Sequence, residues 1–184
     1  MSKREKLEKL HQEIKNCKKC PLGKTRKNAV PGEGPISAKI MFLGQAPGAE
    51  EAKVGRPFIG RAGQFLNQLL KIANFKREEI FITSPIKCFP PKNRKPRKEE
   101  IATCLPYLKK QIEIINPQKF ILLGEVAFSV FFPNKKLSNF RGKWTKKGGK
   151  EYFPTYHPAA GMRFPKIRKI LEEDFKKIKS SIVF

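Results

Sequence analysis

The stretch FLGQAPGAEEAKVGRPFIGRAG, Phe42 to Gly63, joins a short apolar run to a helix through a loop crowded with glycine and proline. Loops of this composition suit places where main chain must come close to a ligand, because glycine removes the side chain that would stand in the way. The run KIMFLG that leads into it has the length of a buried strand. AGQFLNQLLKIANF, at its far end, carries Phe65, Leu66, Leu69, Leu70 and Ile72 or Ala73 on one helical face. The loop lacks the Gly-Lys-Ser/Thr ending of a nucleoside-triphosphate site and does not match the dinucleotide fingerprint.

The strand-then-helix pattern continues outward. EEIFITSPIKCFPP reads as a second strand stopped by prolines, and the basic loop KNRKPRKEE runs into a helix, EEIATCLPYLKKQIEII, that Pro106 should kink or break. KFILLG repeats the pattern of KIMFLG and EVAFSVFF follows as a helix. KLSNFRGKWTKKGGKEYFPTYHP reads as a loop or hairpin leading to a last strand before His157, and PKIRKILEEDFKKIKS closes as an amphipathic helix. At the front, EKLEKLHQEIKNC sets Leu7, Leu10, Ile14 and Cys17 on one face, with His11 an ordinary surface or half-buried histidine. Strands alternating with helices predict an α/β fold, a parallel sheet with helices on both faces and ligands at the carboxyl ends of the strands. Gly44, Ser84, Gly124 and His157 fall at those ends. The 184 residues suit one domain, 1–184, with the N-terminal helix and the Cys17/Cys20 segment packed against it.

Forty Lys and Arg stand against 16 Asp and Glu, a net charge of +24. Heat-adapted surfaces rich in lysine carry matching glutamates. Here the acids are missing, so the excess points to a polyanionic partner, nucleic acid ahead of an anionic membrane. No apolar run approaches the roughly 18 residues that would suggest a membrane span, and the first twenty residues lack the apolar segment of a secretory signal. The expectation is a cytoplasmic monomer with no membrane partner.

In such a compartment, Cys17, Cys20, Cys88 and Cys104 favour metal over disulfides. CKKC is a close pair, whereas Cys88 and Cys104 are separated by 15 residues. Zinc usually takes two close pairs and an iron–sulfur cluster tolerates scattered thiolates. Spacing leaves both open, with unliganded buried cysteines as the third reading.

Taken together, CKKCPLGKTRKNAVPGEGP, FLGQAPGAEEAKVGRPFIGRAGQFLNQLL, ITSPIKCFPPKNRKP, FILLGEVA and YHPAA resemble the iron–sulfur (type 4) family of uracil-DNA glycosylases over most of the chain. The resemblance implies a three-layer α/β/α sandwich around a central four-stranded parallel sheet. It implies a 4Fe–4S cluster on Cys17, Cys20, Cys88 and Cys104, zinc being the alternative, and a partner that is DNA containing uracil or another deaminated base. The implied reaction removes the flipped base and leaves the sugar–phosphate chain intact. Gly44, Phe58 and His157 would form the base site, the base lodging between the Phe58 ring and the His157 imidazole. Gly48, Gly60 and Gly63 would admit backbone N–H groups, and the helix beginning near Arg61 would offer its positive end to an anion. Met162 or Arg163 would enter the DNA. Arg163, Arg168, Lys87, Lys92, Arg94, Lys95 and Arg97 would line the path of the phosphates.

The chain departs from the family pattern at two positions. Gln45 stands where the family commonly has Glu; it can orient water or pair with a base but supplies no charge, which leaves Glu51 as the candidate acid. Ser84 stands where the family usually has Asn, and a freely rotating hydroxyl would reject other bases less firmly than a carboxamide. These departures keep open a second function, a catalytically weak or silent iron–sulfur protein that binds damaged or single-stranded DNA.

Overall fold

The computed structural model describes residues 1–182. The chain begins with α1 (Lys3–Asn16), whose first turn is closed by Ser2 and Glu5, each accepting a backbone N–H from the other. Leu7, Leu10 and Ile14 form its buried face. There follow α2 (Pro21–Thr25), β1 (Ile40–Leu43), α3 (Ala49–Val54), α4 (Arg61–Ile72), β2 (Phe81–Thr83) and α5 (Lys98–Ile115). The chain continues through β3 (Lys119–Leu123), α6 (Glu125–Phe131), β4 (Thr145–Lys147), β5 (Lys150–Thr155), α7 (Pro158–Arg163) and α8 (Pro165–Ser181).

The sheet runs in the order β2-β1-β3-β5-β4. Its first four strands are parallel, as expected, but β4 adds an antiparallel fifth at the edge. The extra strand comes from KKGGK: Gly148 and Gly149 both take positive φ, the geometry that turns a two-residue hairpin with the twist of its strands. Lysines along β4 discourage further pairing at that edge.

Alternate residues of the buried strands feed opposite layers. Phe42, Ile82 and Ile121 pack against Phe65, Leu66 and Leu69 of α4 and Leu171 and Phe175 of α8. Met41, Leu43, Phe81 and Phe120 face Leu7 of α1, Leu108 of α5 and Phe128 of α6. Helix α5 does not break at Pro106; Pro106 and Ala102 are both exposed, so the carbonyl deprived of its donor lies on the solvent side.

Strand ends are tied in register by Gly44 N–H on the Thr83 carbonyl (3.0 Å) and Gly124 N–H on the Thr155 carbonyl (2.9 Å). Fully buried Asp174 of α8 accepts from the Thr155 hydroxyl (2.7 Å) and from Arg141 Nη1 (2.9 Å), fixing the end of β5 two residues before His157. Asp174→Ala leaves Arg141 and Thr155 without their partner and is expected to cost about 3–5 kcal/mol, read as a lower midpoint in chemical denaturation.

Candidate active site

The carboxyl ends of β1, β2 and β5 surround a cavity of about 110 Å³ whose lining includes Glu51, Phe58, Ser84, Asn93 and His157. Phe58 has φ 49°, in the left-handed region, a strain of order 1–3 kcal/mol for a non-glycine residue. Its surroundings hold that conformation. Arg77 donates to the Phe58 carbonyl (3.1 Å) and to the Pro57 carbonyl, while Oε1 of buried Glu51 accepts from the N–H groups of Ile59 (3.0 Å) and Gly60 (2.9 Å). A Cβ at Gly63 would lie 1.9 Å from the Phe58 carbonyl oxygen, so this loop and the first turn of α4 fit together only with glycine there. Glu33 orients Arg77 through its Nε (2.9 Å) and holds Arg56 with its other oxygen (2.8 Å). Burial opposes the Glu33 charge, but the two guanidinium groups hold its carboxyl below the ordinary range.

The Phe58 ring rests on Gly44, where a Cβ would come within 2.7 Å of it. It stacks on the His157 imidazole with centroids 5.7 Å apart and planes inclined by 26°. At that separation the rings pack directly on each other. The apposed rings leave no gap between them for the base that was expected there.

His157 precedes α7, and its Nδ1 accepts from Ala159 N–H (3.1 Å). The neutral ring therefore carries its proton on Nε2. Burial pushes the imidazole from 6.5 down to about 4, so it is neutral at pH 7. Ser84 is buried and its hydroxyl donates to the Ile86 carbonyl, so it is not the freely rotating group anticipated from the sequence. The second Glu51 oxygen sits where a Cβ on Gly48 would press within 2.5 Å.

Gln45 is half-buried at the end of β1 and, among the described residues, does not belong to the cavity lining. Asn93, passed over in the sequence as part of a basic loop, does line it. Lys92 and Asn93 turn the chain with φ 55° and 56°, and the available signal was the tolerance of asparagine for that region.

The four cysteines are free and pack around one apolar nest with Leu10, Ile14, Leu22, Ile86 and Tyr107. Burial pushes the Cys88 thiol up to about 12; Arg26 opposes this, and the other three sulfurs add to it. Cys104 is likewise raised by burial, with Lys87 pulling against it. An all-sulfur donor set converging from α1, the segment after β2 and α5, with two cations beside it, suits a polythiolate-bound group. Among the described residues, however, no three His, Cys, Asp or Glu side chains gather tightly enough to hold a single metal ion.

The proposed phosphate path needs correction. Lys87 is buried and donates to Thr83 Oγ1 and Gln111 Oε1 (2.5 and 2.7 Å). Arg94 is paired with Glu100 (2.7 Å), and Arg168 pairs with Glu172 (3.2 Å) while lying over the Phe65 ring. Arg61, Lys92, Lys95, Arg97 and Arg163 are exposed. Met162 is exposed, and so is Phe164, a neighbouring apolar side chain that the sequence reading did not single out. No helix among the described residues is long and apolar enough to cross a membrane.

The sequence profile described as the Uracil DNA glycosylase superfamily matches residues 31–179. A type-4 uracil-DNA glycosylase of Sulfurisphaera tokodaii is 49% identical over 94% of this chain and 83% of its own length. One from Saccharolobus solfataricus is 48% identical over 96% and 86%, and one from Thermotoga maritima 43% over 98% and 97%. The chain belongs to the type-4 uracil-DNA glycosylase family. The superfamily match begins after Cys17 and Cys20, whereas the type-4 likeness extends over almost the whole chain, so within this family the N-terminal thiols sit beyond the shared core.

Two outcomes are expected of the folded protein. Gly63→Ala, forced against the Phe58 carbonyl, should lose about 1–3 kcal/mol in denaturant unfolding and distort the cavity. His157 and His11 both lie near 4 when folded and near 6.5 when unfolded. Below pH 6.5 the unfolded chain therefore takes up protons that the folded one refuses, and stability falls as pH drops towards 4. Melting temperatures measured across that interval should decline, and less steeply in His157→Gln.

Proposed function

We propose that the protein is a monofunctional DNA glycosylase that removes uracil from DNA by hydrolysing its glycosidic bond, the entry step of base excision repair. The type-4 relatives support this over a catalytically silent DNA-binding protein. The observation that carries it is the neutral His157, its proton assigned to Nε2 by the Ala159 amide, in one cavity with Phe58 and the fixed carboxylate of Glu51.

The mechanism follows from those groups. A base stacked inside duplex DNA is out of reach, so it is extruded into the cavity and contacts there offset the cost; stacking on the Phe58 ring contributes about 1–3 kcal/mol. Met162 or Arg163, on the exposed last turn of α7 beside Phe164, fills the gap left behind. Gly60, Arg61 and Gly63 bring the start of α4 to the DNA backbone, although the Gly60 amide is already engaged by Glu51. The bond from C1′ to the base breaks with its electron pair passing to uracil. His157 Nε2–H, the base-facing donor, stabilises the anion at O2. Glu51 is the negative charge that steadies the cationic sugar. Gln45, just outside the cavity lining, orients the water that adds to C1′; that water gives up a proton, and the leaving base takes one. Gly44 has no side chain and lets Phe58 lie flat on the end of β1.

Cys17, Cys20, Cys88 and Cys104 would hold a 4Fe–4S cluster. Thiolates drawn from one close pair and two scattered positions suit an iron–sulfur cluster better than zinc, which usually takes two close pairs. When bound, the cluster cross-links the N-terminal segment to the helices behind the site. Analysis should find iron and acid-labile sulfide without zinc, and Cys104→Ser should lower both.

The test of the function is alkali treatment of uracil-containing oligonucleotides after incubation with the protein. Strand breaks at uracil are expected, and tight binding without breaks would overturn the reading. His157→Ala should lower the single-turnover rate about 10²–10³-fold. Because His157 must be neutral and has been pushed to about 4, the wild-type rate should hold level from pH 8 down to about 5 and fall below that.

A further inference from the structure

Two side chains in the cavity have their protons assigned by backbone partners. Ala159 N–H points at His157 Nδ1, so Nε2 bears the imidazole proton. The Ile86 carbonyl has no proton to give, so the one proton of Ser84 lies between them and the remaining lone pairs of Ser84 Oγ are available to the cavity it lines. His157 is thus a fixed donor and Ser84 a fixed acceptor.

We propose that this pair reads the lactam unit, –CO–NH–, of an extruded base, and that Ser84 leaves unread the exocyclic group beyond the N–H. The proposal rests on the glycosylase function given above and names its substrate class. Hydrolytic deamination of cytosine puts a proton on N3 and turns the C4 amine into a carbonyl while leaving O2 unchanged, so within the unit read by this pair the N–H is what marks the deaminated base. Uracil offers O2 to the His157 donor and N3–H to the Ser84 acceptor. Cytosine offers O2 but sets an N3 lone pair against the lone pairs of Ser84, and a buried acceptor facing an acceptor loses its hydrogen bond outright. The fixed hydroxyl therefore restores the rejection of cytosine that a rotating one would relax. The group at C4 is treated differently. Ser84 has no second proton for O4, so its site senses the N–H and not the atom beyond it. Hypoxanthine and xanthine carry the same lactam unit, so these bases belong to the recognised class wherever the cavity admits them.

The experiment uses the full-length protein with oligonucleotides carrying deoxyuridine, 4-thiodeoxyuridine, N3-methyldeoxyuridine or deoxycytidine, under single-turnover conditions. The wild type should release uracil and 4-thiouracil at rates within about threefold, and N3-methyluracil at least about 100-fold more slowly, since a site built around a hydrogen bond rejects an analogue that cannot make it. Ser84→Asn supplies an N–H₂ donor that reaches O4 and should shift the uracil to 4-thiouracil ratio towards uracil by about tenfold, the worth of one hydrogen bond. The ratio between variant and wild type cancels the intrinsic ease with which each base departs. Ser84→Ala removes the acceptor and should shrink the penalty on N3-methyluracil. Melting curves check that both variants fold.

A wild type that already prefers uracil to 4-thiouracil by tenfold or more, although sulfur eases departure of the anion, would overturn the proposal by showing that another donor, such as Asn93, reads O4. So would a uracil to 4-thiouracil ratio unmoved by Ser84→Asn in a folded variant. A wild type that releases no uracil at all would instead remove the glycosylase reading itself, so the two failures are distinguishable.

Discussion

The carbonyl oxygen of Phe58 occupies the space where a side chain at position 63 would begin, and the geometry of the site descends from that contact. Placing the carbonyl against α4 requires the left-handed backbone of Phe58, a conformation that a residue with a bulky side chain avoids. Its cost is offset within a few ångströms. Arg77 takes up the carbonyl and Glu51 the next two amides, so these three groups of the turned segment each have a charged partner. With the backbone reversed in this way the ring lies flat on Gly44 and against His157 instead of entering the core. Relaxing Phe58 to ordinary φ would move the ring off the strand end and leave the Glu51 carboxylate buried without its two donors.

A second set of contacts joins the cysteine nest to the wall of the cavity. The Lys87 carbonyl accepts from Val30 N–H (2.7 Å), and Val30 lines the cavity. The Lys87 ammonium binds Thr83 and Gln111, and both of these also bond to the Pro31 carbonyl, at 2.9 and 2.8 Å. Residue 87 is thus shared, its backbone steadying the pocket while the next residue, Cys88, enters the nest. Whatever orders the four thiols also orders the segment from Val30 to Pro31. That gives the N-terminal helix, which lies beyond the superfamily core, a structural bearing on a site it does not touch.

Much of this was legible in the sequence because it depends on local pattern. Buried runs such as KIMFLG and KFILLG mark strands by composition, and the spacing in AGQFLNQLL marks a helix. The residues that line the cavity could be anticipated where a family motif carried them, as with Phe58 and His157. What escaped was set by partners distant in the chain. Lys87 looks like any surface lysine until Thr83 and Gln111 close around it, 24 positions separating the last from Lys87. Asn93 reads as part of a basic loop because nothing local says that its turn faces Ser84 and Glu51. The antiparallel β4 depends on two glycines whose hairpin is worth little until β5 is already in the sheet. Pro106 does not end α5, since a helix tolerates the missing donor wherever the orphaned carbonyl can meet water.

The side chains of the cavity share a property that no single one explains. Backbone amides and carbonyls engage His157, Ser84 and Glu51, and in doing so decide which of their atoms remain for a ligand. A histidine alone could donate or accept from either nitrogen, and a serine hydroxyl alone could do both. In this cavity each is reduced to one role before any ligand arrives, so binding requires no reorientation of dipoles, which is the condition under which electrostatic stabilisation of a developing charge is strongest. A serine whose proton is already committed presents a defined acceptor, because its ambiguity is removed when the strand end folds.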